Sequence, residues 1–182
     1  MSTPRLTNEP WDEHLIRYGM PFAPRLIEKA RGTLIWDTEG REILDFTSGQ
    51  MCATLGHNHP RIVAAIRDAC EGALHLFSGM LSPPVVALSQ RLAAMMPPHL
   101  SKALFLSTGG EANEAALKMA KLHTGKFEVV GFTGSWHGMT SGAQSVNYVA
   151  GRKGYGPMMP GSLALPAPNA YHCPVRHCRK AC

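Results

Sequence analysis

The sequence predicts an α/β protein built on a parallel sheet. Three observations carry that expectation. A short apolar run, Leu104-Phe105-Leu106, passes through Ser107-Thr108-Gly109-Gly110 into an Ala-rich segment with helical spacing. A second run, Phe127-Glu128-Val129-Val130-Gly131-Phe132, follows, so strand, helix and strand succeed one another as in a βαβ unit. The chain is 45% apolar, 17% charged and holds 18 glycines, which allows a buried core and argues against a coiled coil. At 182 residues it is one ordinary domain or part of a larger one.

The elements follow in order. Residues 10–18 suit a short helix with Pro10 near its start. Residues 26–31 and 33–37 read as two strands joined by a turn at Gly32. A second turn at 38–40 and a third strand at 43–46 complete an antiparallel meander. Residues 47–51 and 56–60 are loop-like. Ile62, Val63, Ile66, Cys70 and Leu74 predict a helix from Pro60 to Leu74. Val85, Leu88 and Leu92 predict another from about Pro84 to Met95, ended by Pro97-Pro98. A strand is expected at 102–106. Ala112, Ala115, Ala116, Met119 and Leu122 then carry a helix to about His123, closed by Thr124-Gly125. After Ser145 the glycines and prolines between Gly151 and Pro168 predict extended loop with little regular structure. A parallel sheet with two evident strands is a poor folding unit, so a truncated chain is expected.

The turn at 107–110 has the chemistry of an anion site. The first N–H groups of a helix lack intrahelical acceptors, and the macrodipole adds partial positive charge. Glycines at 109 and 110 let a phosphate approach the backbone, and the hydroxyls of Ser107 and Thr108 add donors. The same residues also suit an ordinary strand–helix turn with Ser or Thr as N-cap. Gly134-Ser135-Trp136-His137-Gly138 leaves the next strand at its carboxyl end, the edge where open α/β sheets bind ligands.

Composition narrows the function classes. The net charge of +5 comes from scattered basic residues, apart from Arg176, Arg179 and Lys180. No aromatic–basic alternation marks a nucleic-acid platform, so no nucleic-acid partner is expected. No apolar run is long enough for a bilayer, and the amino terminus lacks a secretory h-region, so no membrane partner is expected. Glu9, Asp12 and Glu13 disfavour a mitochondrial presequence, without excluding that compartment. The five cysteines are expected as reduced thiols in an intracellular, cytoplasmic setting. His172, Cys173, His177, Cys178 and Cys182 have spacings that admit Zn²⁺, with exposed thiols as the plainer alternative. No Walker pattern or G-x-G-x-x-G occurs, which disfavours nucleotides.

Several separated motifs agree with one family. They are Ile43-Leu44-Asp45-Phe46-Thr47-Ser48-Gly49-Gln50-Met51, Leu55-Gly56-His57-Asn58-His59-Pro60, and His75-Leu76-Phe77-Ser78-Gly79-Met80-Leu81-Ser82. Ser107-Thr108-Gly109-Gly110-Glu111-Ala112-Asn113-Glu114-Ala115-Ala116, Ser135-Trp136-His137-Gly138, Gly151-Arg152-Lys153-Gly154 and Pro166-Ala167-Pro168 extend the set. The chain resembles the amino-terminal part of class III pyridoxal-phosphate (PLP) aminotransferases, and within them 2,2-dialkylglycine decarboxylase, from about Trp11 to Ala170.

The resemblance implies a partial PLP-dependent transferase fold of type I. It divides the chain into a small-domain segment at 1–46, a partial PLP-binding domain at 47–170 and an irregular Cys/His tail at 171–182. Thr108, Gly109 and Gly110 would hold the cofactor phosphate. Trp136 would stack on the pyridine ring, with His137 near its edge. Gln50 would reach the substrate carboxylate. Leu76 and Ser78 match contributors to an alkali-metal site for K⁺ or Na⁺. Carbonyls at Ala93, Met96, Pro97 and Leu100 match a second such site, although Met96 replaces a hydroxyl residue there. Substrates would be an amino acid and a 2-oxo acid, and the family pairs as homodimers.

The resemblance also implies what this stretch lacks. None of the seven lysines, Lys29, Lys102, Lys118, Lys121, Lys126, Lys153 and Lys180, occupies the motif of the family's Schiff-base lysine. No catalytic residue is therefore assigned, and the chain alone is expected to be inactive. The alternative reading is a non-catalytic fragment that binds a phosphate ligand or associates with a full-length partner.

Overall fold

The computed structural model describes residues 14–16, 21–149, 154, 156–169 and 171–175. Contacts divide the chain into two compact units, Met1–Pro83 and Pro84–Cys182. Of the helix expected at 10–18 only residues 14–16 are described, and they are turn and coil; its other residues, most of the motif at 151–154 and the tail beyond Val175 lie outside the described residues.

The first unit carries the expected meander. β1 (Ile27–Arg31), β2 (Leu34–Asp37) and β3 (Glu42–Leu44) form one antiparallel sheet in that order. Gly32 makes the first turn at φ +60°, a conformation that favours glycine. The second turn closes on Asp37, 1% exposed, which accepts from the Glu39 and Arg41 N–H groups. Arg41 Nε adds a charged bond to the same carboxylate at 2.8 Å. Strands adjacent in sequence pair through short turns, so this sheet needs no distant chain.

The turn after β3 is also tied locally. α1 (Ser48–Met51) is a single distorted turn, with φ of +51° at Ser48, +63° at Gly49 and +60° at Met51. The loop before the next helix docks on the meander: Gly32 and His57 exchange N–H···O bonds of 2.9 and 2.8 Å. α2 (Pro60–Cys70) begins with Pro60 in its first turn. It ends before the expected Leu74, because the chain reaches Gly72 and has no side chain there to favour another helical turn.

The second unit begins as α3 (Pro83–Met95) starts, where the proline pair sits in a first turn. α4 (Gly109–Thr124) matches its expected span, and Gly125 closes it in the left-handed region at φ +67°. β4 (Val129–Phe132) and α5 (Ser141–Ser145) follow, then β5 (Ser162–Leu165). β4 and β5 pair in parallel from Val129↔Ser162 to Phe132↔Leu165.

Two expectations need correction. The stretch read as loop contains β5: Gly161, at φ +80°, turns the chain into it, and its pairing with β4 spans too much sequence to show as local periodicity. The strand expected at 102–106 is in no ladder among the described residues, so β4 pairs with β5 and not with that run. A strand requires a neighbour, and Leu104, Phe105 and Leu106 are exposed. The best-buried part of this unit is α5 and its carboxyl flank, where Ala143, Ser145, Val146 and Asn147 are all buried. Among the described residues no helix is long and apolar enough to cross a membrane, and no cluster of three or more His, Cys, Asp and Glu could hold a metal ion.

Candidate phosphate and ring site

The amino terminus of α4 is built by its own residues. Thr108 is an extended N-cap whose Oγ1 accepts from the Glu111 N–H at 3.1 Å. Glu111 reaches back, and its Oε2 accepts from the Thr108 and Ser107 N–H groups at 3.1 and 3.2 Å. This is a capping box, and it fixes the angle at which the chain enters the helix. The Ala112 N–H bonds the Thr108 carbonyl. Gly109 and Gly110 then head the helix, where no intrahelical acceptor exists for their N–H groups. Nothing lies within 4 Å of the point a Cβ on Gly109 would occupy. Open space beside two helix-head N–H groups is the arrangement in which helix termini take anions, and this candidate cradle has it.

The loop at 134–138 lies against this cradle. Gly138 has φ +139°, and a Cβ there would stand 2.6 Å from Gly110 Cα and 3.3 Å from Gly110 N. Backbone therefore touches backbone, which glycine alone permits. At Gly110 a Cβ would meet Thr140 Cγ2 and Oγ1 at 3.6 and 3.7 Å and Gly138 Cα at 3.8 Å, all ordinary contacts, so a small side chain fits there. Trp136, two residues before Gly138, is half-exposed. The structure thus brings the turn of Thr108, Gly109 and Gly110 together with the loop of Trp136 and His137 within one unit.

That loop is held from two elements. Asn113, one turn along α4, donates from Nδ2 to the His137 carbonyl at 2.7 Å. The His137 N–H donates to Asn147 Oδ1 at 2.5 Å, and Asn147 Nδ2 donates to the Gly138 carbonyl at 2.7 Å. Ser135 Oγ and the Gly134 N–H bond the Val146 and Tyr148 carbonyls at 3.2 and 2.8 Å. Glu114 anchors the next segment: its Oε1 accepts from the Gly142 and Ala143 N–H groups at 2.7 and 3.1 Å. The Thr140 hydroxyl, then those two N–H groups, hold the Glu114 carboxyl below the usual carboxylate range. A side chain at 142 would collide with the Glu114 carboxylate. Asn113, Glu114, Thr140 and Asn147 were not singled out from the sequence. One signal was present: Asn is a poor helix former, and Asn113 interrupts an Ala-rich helix.

The remaining expected residues lie on other elements. Gln50, in the first unit, is exposed on the distorted turn α1. Asp45 sets that turn, accepting from the Thr47 N–H, Thr47 Oγ1 and Gly49 N–H at 2.8, 2.5 and 2.9 Å. Asp45 Oδ2 also meets His57 Nε2 at 2.6 Å. The Thr47 hydroxyl, then His57, hold the Asp45 carboxyl far below its usual range. Leu76 and Ser78 are exposed in an irregular segment of the first unit. In the second unit the carbonyls of Ala93 and Pro97 accept from Met96 and Leu100 N–H groups, at 3.3 and 2.8 Å.

Comparisons with known proteins agree along the chain. A family model described as aminotransferase class-III matches residues 17–182. An uncharacterised aminotransferase of Schizosaccharomyces pombe is 54% identical over 165 residues, covering 91% of this chain and 37% of that protein. A diaminobutyrate–2-oxoglutarate aminotransferase of Haemophilus influenzae is 39% identical over 158 residues, covering 85% of this chain and 34% of that protein. Among solved structures, a taurine:2-oxoglutarate aminotransferase of Bifidobacterium kashiwanohense, solved with PLP and glutamate, superposes with TM-score 0.78. It is 30% identical over 87% of this chain and 36% of its own. An (S)-enantioselective omega-transaminase of Thermomicrobium roseum gives TM-score 0.75 and 32% identity, over 81% of this chain and 35% of its own. The chain thus spans little more than a third of the length of the relatives it matches.

Proposed function

The chain belongs to the class-III aminotransferase family, and on that premise we propose that it forms the cofactor-phosphate end of a PLP-dependent transaminase. The fold is the corresponding part of the type I PLP-transferase fold. The observation that carries the proposal is the backbone contact between Gly138 and Gly110, which sets the Trp136 loop beside the N–H groups at the head of α4.

The residues present fit the phosphate end of the cofactor: the Gly109 and Gly110 N–H groups stand at the helix head, and the space around the Gly109 Cβ position is open. Gly109, Gly110 and Thr108 would hold the phosphate, and Trp136 and His137 would contact the ring. An indole face suits a flat, electron-poor ring. When bound, the cofactor supplies the electron sink for breaking a bond at the Cα of an amino acid. The substrates are an amino donor and a 2-oxo acid, in keeping with the 2-oxoglutarate in the names of two relatives. Gln50 is the contact for the substrate carboxylate, held out on a turn that Asp45 ties down. In the complete enzyme residues 1–46 belong to the small domain and 47–170 to the large one, and the enzyme works as a homodimer.

A decarboxylating, dialkylglycine-type transaminase is the finer reading, resting on Gln50 in its motif. Leu76 and Ser78 would there contribute to a K⁺ or Na⁺ site. Release of CO₂ from a dialkylated amino acid by the complete enzyme tests it, and transamination without CO₂ sinks it.

The 182-residue chain alone is proposed to bind PLP without turnover, since no lysine occupies the family's Schiff-base motif. Titration with PLP should quench tryptophan fluorescence saturably, and inorganic phosphate should reverse the quench. Trp136→Phe should remove the saturable part while Trp11 and Trp36 remain. A quench that does not saturate, or that survives Trp136→Phe, overturns the site. Repeated turnover of an amino acid by this chain overturns the inactivity.

A further inference from the structure

We infer that Asn113 and Asn147 are positioning residues that set the Trp136 indole at a fixed height over the anion cradle of α4. This deepens the function proposed above and rests on it.

The two amides grip one residue from both ends. Asn147 takes the His137 N–H and Asn113 takes the His137 carbonyl, while the other end of Asn147 takes the Gly138 carbonyl. Three bonds of 2.5–2.7 Å thus fix the three consecutive peptide units that follow Trp136, one bond to each. Asn147 is 2% exposed, so its bonds form away from competing water. Its orientation is dictated by its partners: Oδ1 must face an N–H and Nδ2 must face a carbonyl. An aspartate there would set a carboxylate oxygen against the Gly138 carbonyl.

The placement of Asn113 gives the clamp its use. It lies four residues after Gly109, one turn up the same face of α4. One helix therefore supplies the N–H groups at its head and, one turn later, the amide that holds the ring-bearing loop. The distance from phosphate to ring is fixed within a ligand, so the protein gains by fixing the matching distance in advance. A neutral amide does this without adding negative charge beside a site that would take an anion. The Glu114 carboxylate on the same helix is by contrast turned to the head of α5, where Gly142 and Ala143 N–H groups occupy it.

The test separates ring from phosphate. The 182-residue chain is titrated with pyridoxal 5′-phosphate and with inorganic phosphate, and the ratio of the two dissociation constants measures what the ring contributes. In Asn113→Ala and Asn147→Ala that ratio should fall roughly fivefold, the scale of one aromatic stacking contact, with inorganic phosphate affinity unchanged. Asn113→Gln, which keeps the donor, should recover part of the preference. If the buried Asn147→Ala does not fold, Asn113→Ala carries the test, since it frees a single carbonyl on a half-buried face. An unchanged ratio in the folded variants overturns the clamp alone. Equal losses for both ligands overturn it too, by showing a merely structural role. A parent chain that prefers the cofactor no more than phosphate overturns the functional reading and the clamp together.

Discussion

Two loops in this molecule are pinned by opposite kinds of chemistry. In the first unit the turn bearing Gln50 hangs on a charge: Asp45 gathers Thr47, Gly49 and His57 on one carboxylate. In the second unit the loop bearing Trp136 hangs on neutral amides and on glycine-to-glycine contact. The difference teaches where charge is tolerable. A carboxylate beside the head of α4 would compete with an anionic ligand for the same N–H groups, whereas an amide holds the backbone and leaves the local field alone. Glu111, the acid nearest that end, is tied into its capping box.

The largest expected break in this contrast is Gly138→Ala. Its Cβ has no space against the Gly110 backbone, and the residue sits at φ +139°. The unit should lose about 2–4 kcal/mol in a denaturant titration, and cofactor binding with it. Little change would mean the two backbones part easily.

Asp45→Asn should be the next largest. It removes the charge on which donors from Thr47, Gly49 and His57 converge, so amide exchange at Thr47 and Gly49 should quicken on the order of tenfold. Exchange at His137 should stay as it was. Acceleration at both loops would erase the distinction drawn between them.

Acid sharpens the same point more gently. The Asp45 carboxyl lies far below its usual range in the folded chain, so its contribution is present above the unfolded value of about 3.9 and is lost as pH falls through and below it. Amide shifts at Thr47 and Gly49 in the folded chain should therefore stay constant through the usual carboxylate range, about pH 4, and move only well below it. Those of His137 and Gly138 should not follow Asp45, because amides do not titrate. The smallest effect on folding is expected from Gly109→Ala. Space is open there, so stability should stay within about 0.5 kcal/mol, yet phosphate affinity should drop because the methyl enters the cradle. Unchanged affinity would remove Gly109 from the site.

Much of this was legible in the residues. The meander and α4 show in local spacing, because their bonds join near neighbours in sequence, and the Thr108–Glu111 box is written within four positions. Capping chemistry and small-residue turns also marked the head of α4 correctly. β5 was hidden because its register is set by β4, a partner far away in sequence, and its flanking glycines and prolines look like loop. The run at 104–106 misled for the converse reason: apolar β-type residues do not make a strand without a neighbour to bond. Asn147 was invisible in sequence, since an asparagine between a valine and a tyrosine has no period to betray its burial. Asn113 and Glu114 stand inside a recognised motif, but which backbone groups they serve depends on a loop more than twenty residues downstream.

The polypeptide leaving β4 at Phe132 passes through the Trp136 loop and α5 before it returns as β5 at Ser162. Shaping that loop and zipping the two strands are consequently halves of one event. Any solute that prefers the shaped loop acts by mass action as a folding aid for strands it never touches, and its help grows with the logarithm of its concentration once the loop is saturated. On the proposed site, a ligand that carries both ring and phosphate should thus raise the melting midpoint of the sheet more than inorganic phosphate does.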